Sequence, residues 1–220
     1  MRKIGKGDKP EILSQNEVAW TIELLSATPG TAEFKQIERR YGHVDIRARL
    51  GEETHHKCAY CESHIEAIAF PHIEHIKPKS GHRELTFAWD NLTLACPACN
   101  TNKGTTEPTA RNFVHPYVDE PEKRFDFVGS LIAPAPDDLT AKNMINWLDL
   151  NRSALVISRS EIAMRVHDIF LEAIRLPEVV RREFLSLSIG RLASPESRHS
   201  RVAECMARIC EWMYQGQLKK

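Results

Sequence analysis

From residue 11 to about residue 50, the apolar positions Ile12, Val18, Ile22, Leu25, Phe34 and Ile37 return at roughly helical spacing, and Thr28-Pro29-Gly30 interrupts them. The spacing predicts two or three short helices. Between His55 and Lys103 that period is lost, and turns, histidines and cysteines surround two short apolar runs at residues 73–76 and 92–95. The pattern there predicts a small metal-centred module. Prolines at 116, 121, 134 and 136, with Phe125, Phe127, Leu131 and Ile132 on either side of Gly129, predict a connector carrying a short hairpin. Helical spacing resumes at Leu139 and runs through Ile145, Trp147, Leu148 and Leu150, then Ile162, Val166, Ile169, Phe170 and Ile174. Leu176-Pro177, Gly190 and Ser194-Pro195 divide this stretch into three or four helices. The fold class that follows is α+β and mostly helical: an N-terminal helical segment over 1–54, a core module over 55–110, a connector over 111–137 and a C-terminal helical region over 138–220.

Composition narrows the function classes. With 220 residues, 42% hydrophobic and 27% charged, the chain is long enough for one ordinary core plus an appended subdomain, and it is not disordered by composition. Thirty Lys and Arg balance thirty Asp and Glu, so no global basic field draws the chain onto nucleic acid. Any phosphate binding must be local or assisted by a partner. No apolar run follows Arg2, Lys3, Lys6 and Lys9, and no stretch approaches the roughly 20 apolar residues of a membrane span, so a cytoplasmic protein is expected. Arg175, Arg181, Arg182, Arg191, Arg198, Arg201 and Arg208 are read as a solvated face, with a partner or nucleic-acid surface as the alternative.

Four of the six cysteines form two Cys-x-x-Cys pairs, Cys58/Cys61 and Cys96/Cys99. In a cytosolic chain these fit reduced thiolates on a structural Zn²⁺ better than disulfides. In so small a module such a metal contributes roughly 10 kcal/mol or more of folding free energy. His55, His56 and His64 lie around the first pair, but four cysteines already complete a tetrahedral site, which leaves these histidines at the surface or behind the ligands. Cys205 and Cys210, with Met206, Ile209 and Trp212 in a helical stretch, read as core.

Between the pairs stands His72-Ile73-Glu74-His75-Ile76-Lys77-Pro78, and Asn100 follows Cys99 directly. Metal-assisted phosphodiester cleavage needs a hard divalent cation and a base that activates water. A carboxylate and an amide oxygen suit the cation, and a neutral imidazole suits the base. Glu74 and His75 are neighbours on a short strand and point to opposite faces, and a bend at Lys77-Pro78 lets both approach one phosphate. Asn100, at the opening of a predicted helix, supplies an amide opposite Glu74. His72 shares the strand face of Glu74 and is a further candidate ligand or a supporting group. Lys77, Lys79, His82, Arg83 and Lys103 are the basic residues nearest this chemistry, and Lys77, Lys79 and Arg83 are the candidates for nucleic-acid contact. His115 is a weaker candidate for the same site.

The series Cys58-Ala-Tyr-Cys61, Ile73-Glu74-His75-Ile76-Lys77-Pro78, Asp90-Asn91-Leu92 and Cys96-Pro-Ala-Cys99-Asn100-Thr-Asn-Lys103 resembles HNH endonucleases of the ββα-metal class in their four-cysteine zinc form. That resemblance implies His75 as general base and Glu74 and Asn100 as ligands of a catalytic Mg²⁺ or Mn²⁺. Glu74 stands where the family often has aspartate, and Asn100 where it often has histidine. The resemblance further implies that Asn91 holds the loop that orients the histidine, and that Lys103 faces the scissile phosphate or supports the helix. The opening Met1-Arg-Lys-Ile, the Lys57-Cys-Ala-Tyr-Cys-Glu62 knuckle, the strand from His72 through Lys79, His115-Pro-Tyr-Val-Asp-Glu-Pro121 and Leu148-Asp-Leu-Asn151 are similar to the HNH component of Septu-type anti-phage systems, including those attached to retrons. This wider likeness implies an ATPase partner of the ABC/SMC-like type, with the C-terminal helices as its docking region, and DNA as the default substrate. Two rivals remain: the same site cleaving RNA such as tRNA, and a non-catalytic zinc module acting as an adaptor or nucleic-acid binder.

Overall fold

The computed structural model describes residues 1–65 and 71–218. Residues 66–70, within the module expected over 55–110, and residues 219–220, at the end of the expected C-terminal region, lie outside them. The chain divides into two units, one of Ile4–Tyr60 and His64–Ala110, the other of Met1–Lys3, Cys61–Ser63 and Arg111–Lys220.

In the first unit, α1 (Glu11–Ser26), α2 (Ala32–Glu38) and α3 (Val44–Thr54) precede the strands, in agreement with the predicted helices. Gly30 takes φ +85 at the break, and Thr31 caps α2 by accepting from the Phe34 amide. Helix α3 ends on two left-handed residues, His55 and His56. Leu13, Leu24, Phe34, Ile37, Ile46 and Leu50 are buried, whereas Val18, Ile22 and Leu25 of α1 are exposed. Apolar residues thus occupy both faces of α1, and spacing alone did not reveal which face turns inward.

The two apolar runs form an antiparallel pair, β1 (His72–His75) and β2 (Leu92–Ala95), in the register His72 with Ala95, Glu74 with Thr93 and His75 with Leu92. Helix α4 (Pro97–Lys103) follows at once. It begins three residues before Asn100 because the Cys96 thiol caps it, accepting from the Cys99 amide, and Pro97 sets its first turn. Asn100 therefore lies within the helix and not at its opening. Lys6 ties the N-terminal stretch to this pair: its ammonium reaches Glu53 at 3.0 Å and the Leu92 carbonyl at 2.8 Å, above the Trp89 ring.

In the second unit, α5 (Pro121–Arg124) leads into the predicted hairpin, β3 (Phe125–Val128) and β4 (Leu131–Pro134), whose two-residue turn starts at Gly129 with φ +62. Phe125, Phe127 and Ile132 face inward and Val128 and Leu131 outward, as strand alternation demands. Asn151 clamps β4 by accepting from the Ile132 amide and donating to its carbonyl, at 3.0 and 2.9 Å. Asp138 caps α6 (Leu139–Trp147) and receives Arg124 through two contacts of 2.7 and 2.8 Å.

Helices α7 (Ser153–Arg175), α8 (Glu178–Ala193) and α9 (Ser200–Leu218) pack on one another around Ile162, Val166, Phe170, Val202, Cys205 and Cys210. The cysteines at 205 and 210 are core, as read from the sequence. The arginine series is not uniformly solvated, because Arg181 and Arg201 are buried. Arg181 donates to the Ala173, Leu176, Gln217 and Leu218 carbonyls, so it satisfies the chain ends of α7 and α9, where helical carbonyls lack partners. Among the described residues no helix is long and apolar enough to cross a membrane.

Candidate active site

Cys58, Cys61, Cys96 and Cys99 are all buried, and their sulfur atoms lie within 4.8 Å of one another. Tetrahedral Zn–S bonds of about 2.3 Å set neighbouring sulfurs roughly 3.8 Å apart, so the cluster fits a zinc ion, and four protein ligands leave no open position on it. Arg152 donates towards the Cys61 sulfur at 3.8 Å, a cation placed where thiolate charge would gather. The frame also fixes chain geometry: the Ala59 amide, inside the first pair, donates to the Leu94 carbonyl on β2.

Glu74 and His75 end β1, and both are buried, at 4% and 6% exposure. The His75 Nε2 lies 2.9 Å from the Thr86 carbonyl oxygen. A carbonyl only accepts, so Nε2 carries the proton and Nδ1 keeps its lone pair. Burial drives the His75 pKa down to about 4, with the Thr86 bond acting in the other direction, and the ring is neutral at pH 7. For Glu74, burial raises the pKa to about 7 against the pull of Lys103. Its Oε1 sits 2.7 Å from the Lys103 ammonium. A carboxylate is a hard oxygen donor of the kind that suits a divalent cation.

Asn91 pins the loop between the strands. Its Oδ1 accepts from the Lys77 amide at 2.8 Å, and its Nδ2 donates to the Lys77 and Leu85 carbonyls at 3.1 and 3.2 Å. Thr86 follows Leu85 directly, so the same clamp places the carbonyl that holds His75. Lys103, 1% exposed, reaches back from the last turn of α4 to Glu74 and to the His75 carbonyl at 2.9 Å. The Asn100 amide nitrogen lies 2.9 Å from His72 Nδ1; the amide can only donate there, which leaves its Oδ1 as the acceptor end.

A cleft of about 290 Å³ is lined by Glu74, His75 and Asn100, and also by Glu38, Tyr41, Pro78, Lys79 and Thr105. It brings together the expected base and the two expected cation ligands. Although strand alternation points Glu74 and His75 apart, His75 is the last residue of β1 and the chain bends immediately after it. Lys79 lines the cleft, whereas Lys77 and Arg83 are exposed and absent from its lining. His55 and His56 are exposed at the end of α3, and His64 is half-buried in a bridge to Lys57. His115 belongs to the unit of residues 111–220, where its ring packs edge-on to Phe113 and Tyr117. The sequence did not point to Glu38 or Tyr41, which precede the motif, or to Thr86, which acts through its backbone.

Residues 58–106 match the family model for the HNH endonuclease. The chain is 31% identical over 124 residues to a Septu protein PtuB of Bacillus thuringiensis, covering 56% of this chain and 48% of that relative. It is 28% identical over 92 residues to a Septu protein PtuB of Bacillus mycoides strain KBAB4, covering 36% of this chain and 31% of that relative. Thus the chain spans about half the length, or less, of these relatives.

Proposed function

We propose that this chain is a metal-dependent HNH endonuclease that hydrolyses phosphodiester bonds of nucleic acid, DNA by default. The observation that carries this is a buried, neutral His75, its tautomer fixed by the Thr86 carbonyl, lining one cleft with Glu74 and Asn100. His75 Nδ1 takes a proton from the attacking water. The phosphate entering the cleft is anionic and raises the basicity of the ring towards neutral pH. Glu74 and Asn100 would hold the Mg²⁺ or Mn²⁺, which, when bound, supplies positive charge to the phosphate and the leaving oxygen. Asn91 keeps the loop, and so Thr86 and His75, in place. Lys103 balances the buried Glu74 charge and fixes the end of β1, and Lys77 and Arg83 offer phosphate contacts outside the cleft.

The likeness to Septu proteins supports a place in anti-phage defence, with an ATPase partner of the ABC/SMC-like type. The test is cleavage of plasmid DNA and, in a separate arm, of total RNA in Mn²⁺, with and without that partner. His75→Ala should lower the rate by roughly 10²–10⁴-fold while the thermal midpoint stays within a few degrees. Cleavage at an undiminished rate in His75→Ala would remove the base assignment, and full biological activity without cleavage would favour the adaptor reading. Degradation confined to the RNA arm would move the substrate to RNA.

A further inference from the structure

We propose that Lys79 and Tyr41 form a phosphate subsite beside His75, and that Glu38 occupies its cation until a phosphate of the nucleic acid displaces it. This rests on the endonuclease reading above. Lys79 Nζ lies 2.8 Å from Glu38 Oε2 and 5.5 Å from the centre of the Tyr41 ring. Tyr41 in turn meets the His75 ring edge-on, with centroids 4.7 Å apart. All four side chains line the one cleft with Glu74 and Asn100.

Of the three cations read from the sequence as phosphate contacts, Lys79 is the one in that lining. Its partner is a carboxylate, which presents to an ammonium the same kind of paired acceptor oxygens as a phosphodiester. The pair is 31% and 23% exposed, so a ligand in the cleft can reach it. Glu38 ends α2 and Tyr41 lies in the turn of 3-10 helix that follows, so a helical element sets the geometry of this wall. Both residues precede the stretch that matches the HNH family. With Lys79 paired to Glu38 and Lys103 to Glu74, the resting cleft has no positive excess, and Glu38 therefore acts as a built-in competitor of phosphate.

The experiment is fluorescence anisotropy of a labelled DNA duplex, with a labelled RNA hairpin as a second arm, on the full chain carrying His75→Ala and without added Mg²⁺ or Mn²⁺. Glu38→Gln should bind about threefold more tightly, the scale of a partly exposed ion pair. Lys79→Ala should bind several-fold more weakly and lower the slope of log K against log salt on duplex DNA by about 0.9, the share of one phosphate contact. In the Lys79→Ala background, Glu38→Gln should add nothing. Unchanged or weaker binding by Glu38→Gln, a gain that survives loss of Lys79, or no measurable binding at all would overturn the proposal. The two readings fail separately: this pattern in a protein that cleaves nothing would sink the endonuclease reading alone, and His75-dependent cleavage without it would sink the subsite alone.

Discussion

Two conditions act on His75: a nearly solvent-free position, which favours the neutral ring, and a backbone carbonyl, which fixes its proton on Nε2 and pulls the pKa the other way. The first lowers its pKa from 6.5 to about 4. The unfolded chain takes up a proton below pH 6.5 that the folded ring refuses, so this group's contribution to stability is complete above 6.5 and is lost as pH falls towards 4. Glu74 runs the opposite way: with its pKa raised from 4.5 to about 7, its contribution is present below 4.5 and is lost as pH rises through 7. Ring resonances of His75 in the metal-free protein should show no protonation at pH 6 and a midpoint near 4; titration near 6.5 would contradict the burial argument. The gathering of Glu74, His75 and Asn100 in one cleft was legible in the sequence, because their side-chain types and spacing suit one metal-assisted chemistry. Thr86 was not, because it contributes a carbonyl that every residue possesses.

At the scale of elements, the β1, β2 and α4 assembly is short: two strands of four residues and a helix of seven. A two-stranded pair of this length does not sustain itself in water, and the cysteine cluster supplies the missing constraint. Cys96 has two duties, since its sulfur is a cluster member and also caps α4. Cys96→Ser should therefore cost far more than a buried polar substitution, on the scale of the roughly 10 kcal/mol a structural zinc contributes. Chelation of the wild-type protein should give the same loss of ordered signal from residues 71–104, read by hydrogen exchange with zinc content measured in parallel. Retained protection in zinc-free protein would show that packing alone suffices. The helices were legible through their 3.6-residue period and the strands through their apolar runs. The start of α4 was not, because a thiol cap resembles no ordinary N-cap in sequence. Nor was the burial of Arg181, which depends on where two helices distant in sequence end.

At the scale of the whole molecule, thirty basic and thirty acidic residues cancel, and the local arrangement repeats that balance in the cleft, where Lys79 is paired with Glu38. Counterion release, which drives sequence-independent binding, scales with the number of phosphates a protein neutralises. Lys77 and Arg83 are the other candidates for nucleic-acid contact that the sequence suggested, and both are exposed, where salt screens them. The isolated chain is therefore expected to bind duplex DNA with a dissociation constant no tighter than the roughly 10⁻⁶ M reached by non-specific binders at physiological salt. A partner that adds a second contact surface raises the effective concentration of substrate at the cleft, and the gain in apparent affinity should reach about 10²-fold or more if both surfaces engage together. Anisotropy titrations of the chain alone and of the chain with the proposed ATPase measure both quantities. Nanomolar binding by the chain alone would place a basic surface elsewhere on the molecule and remove the reason for a targeting partner.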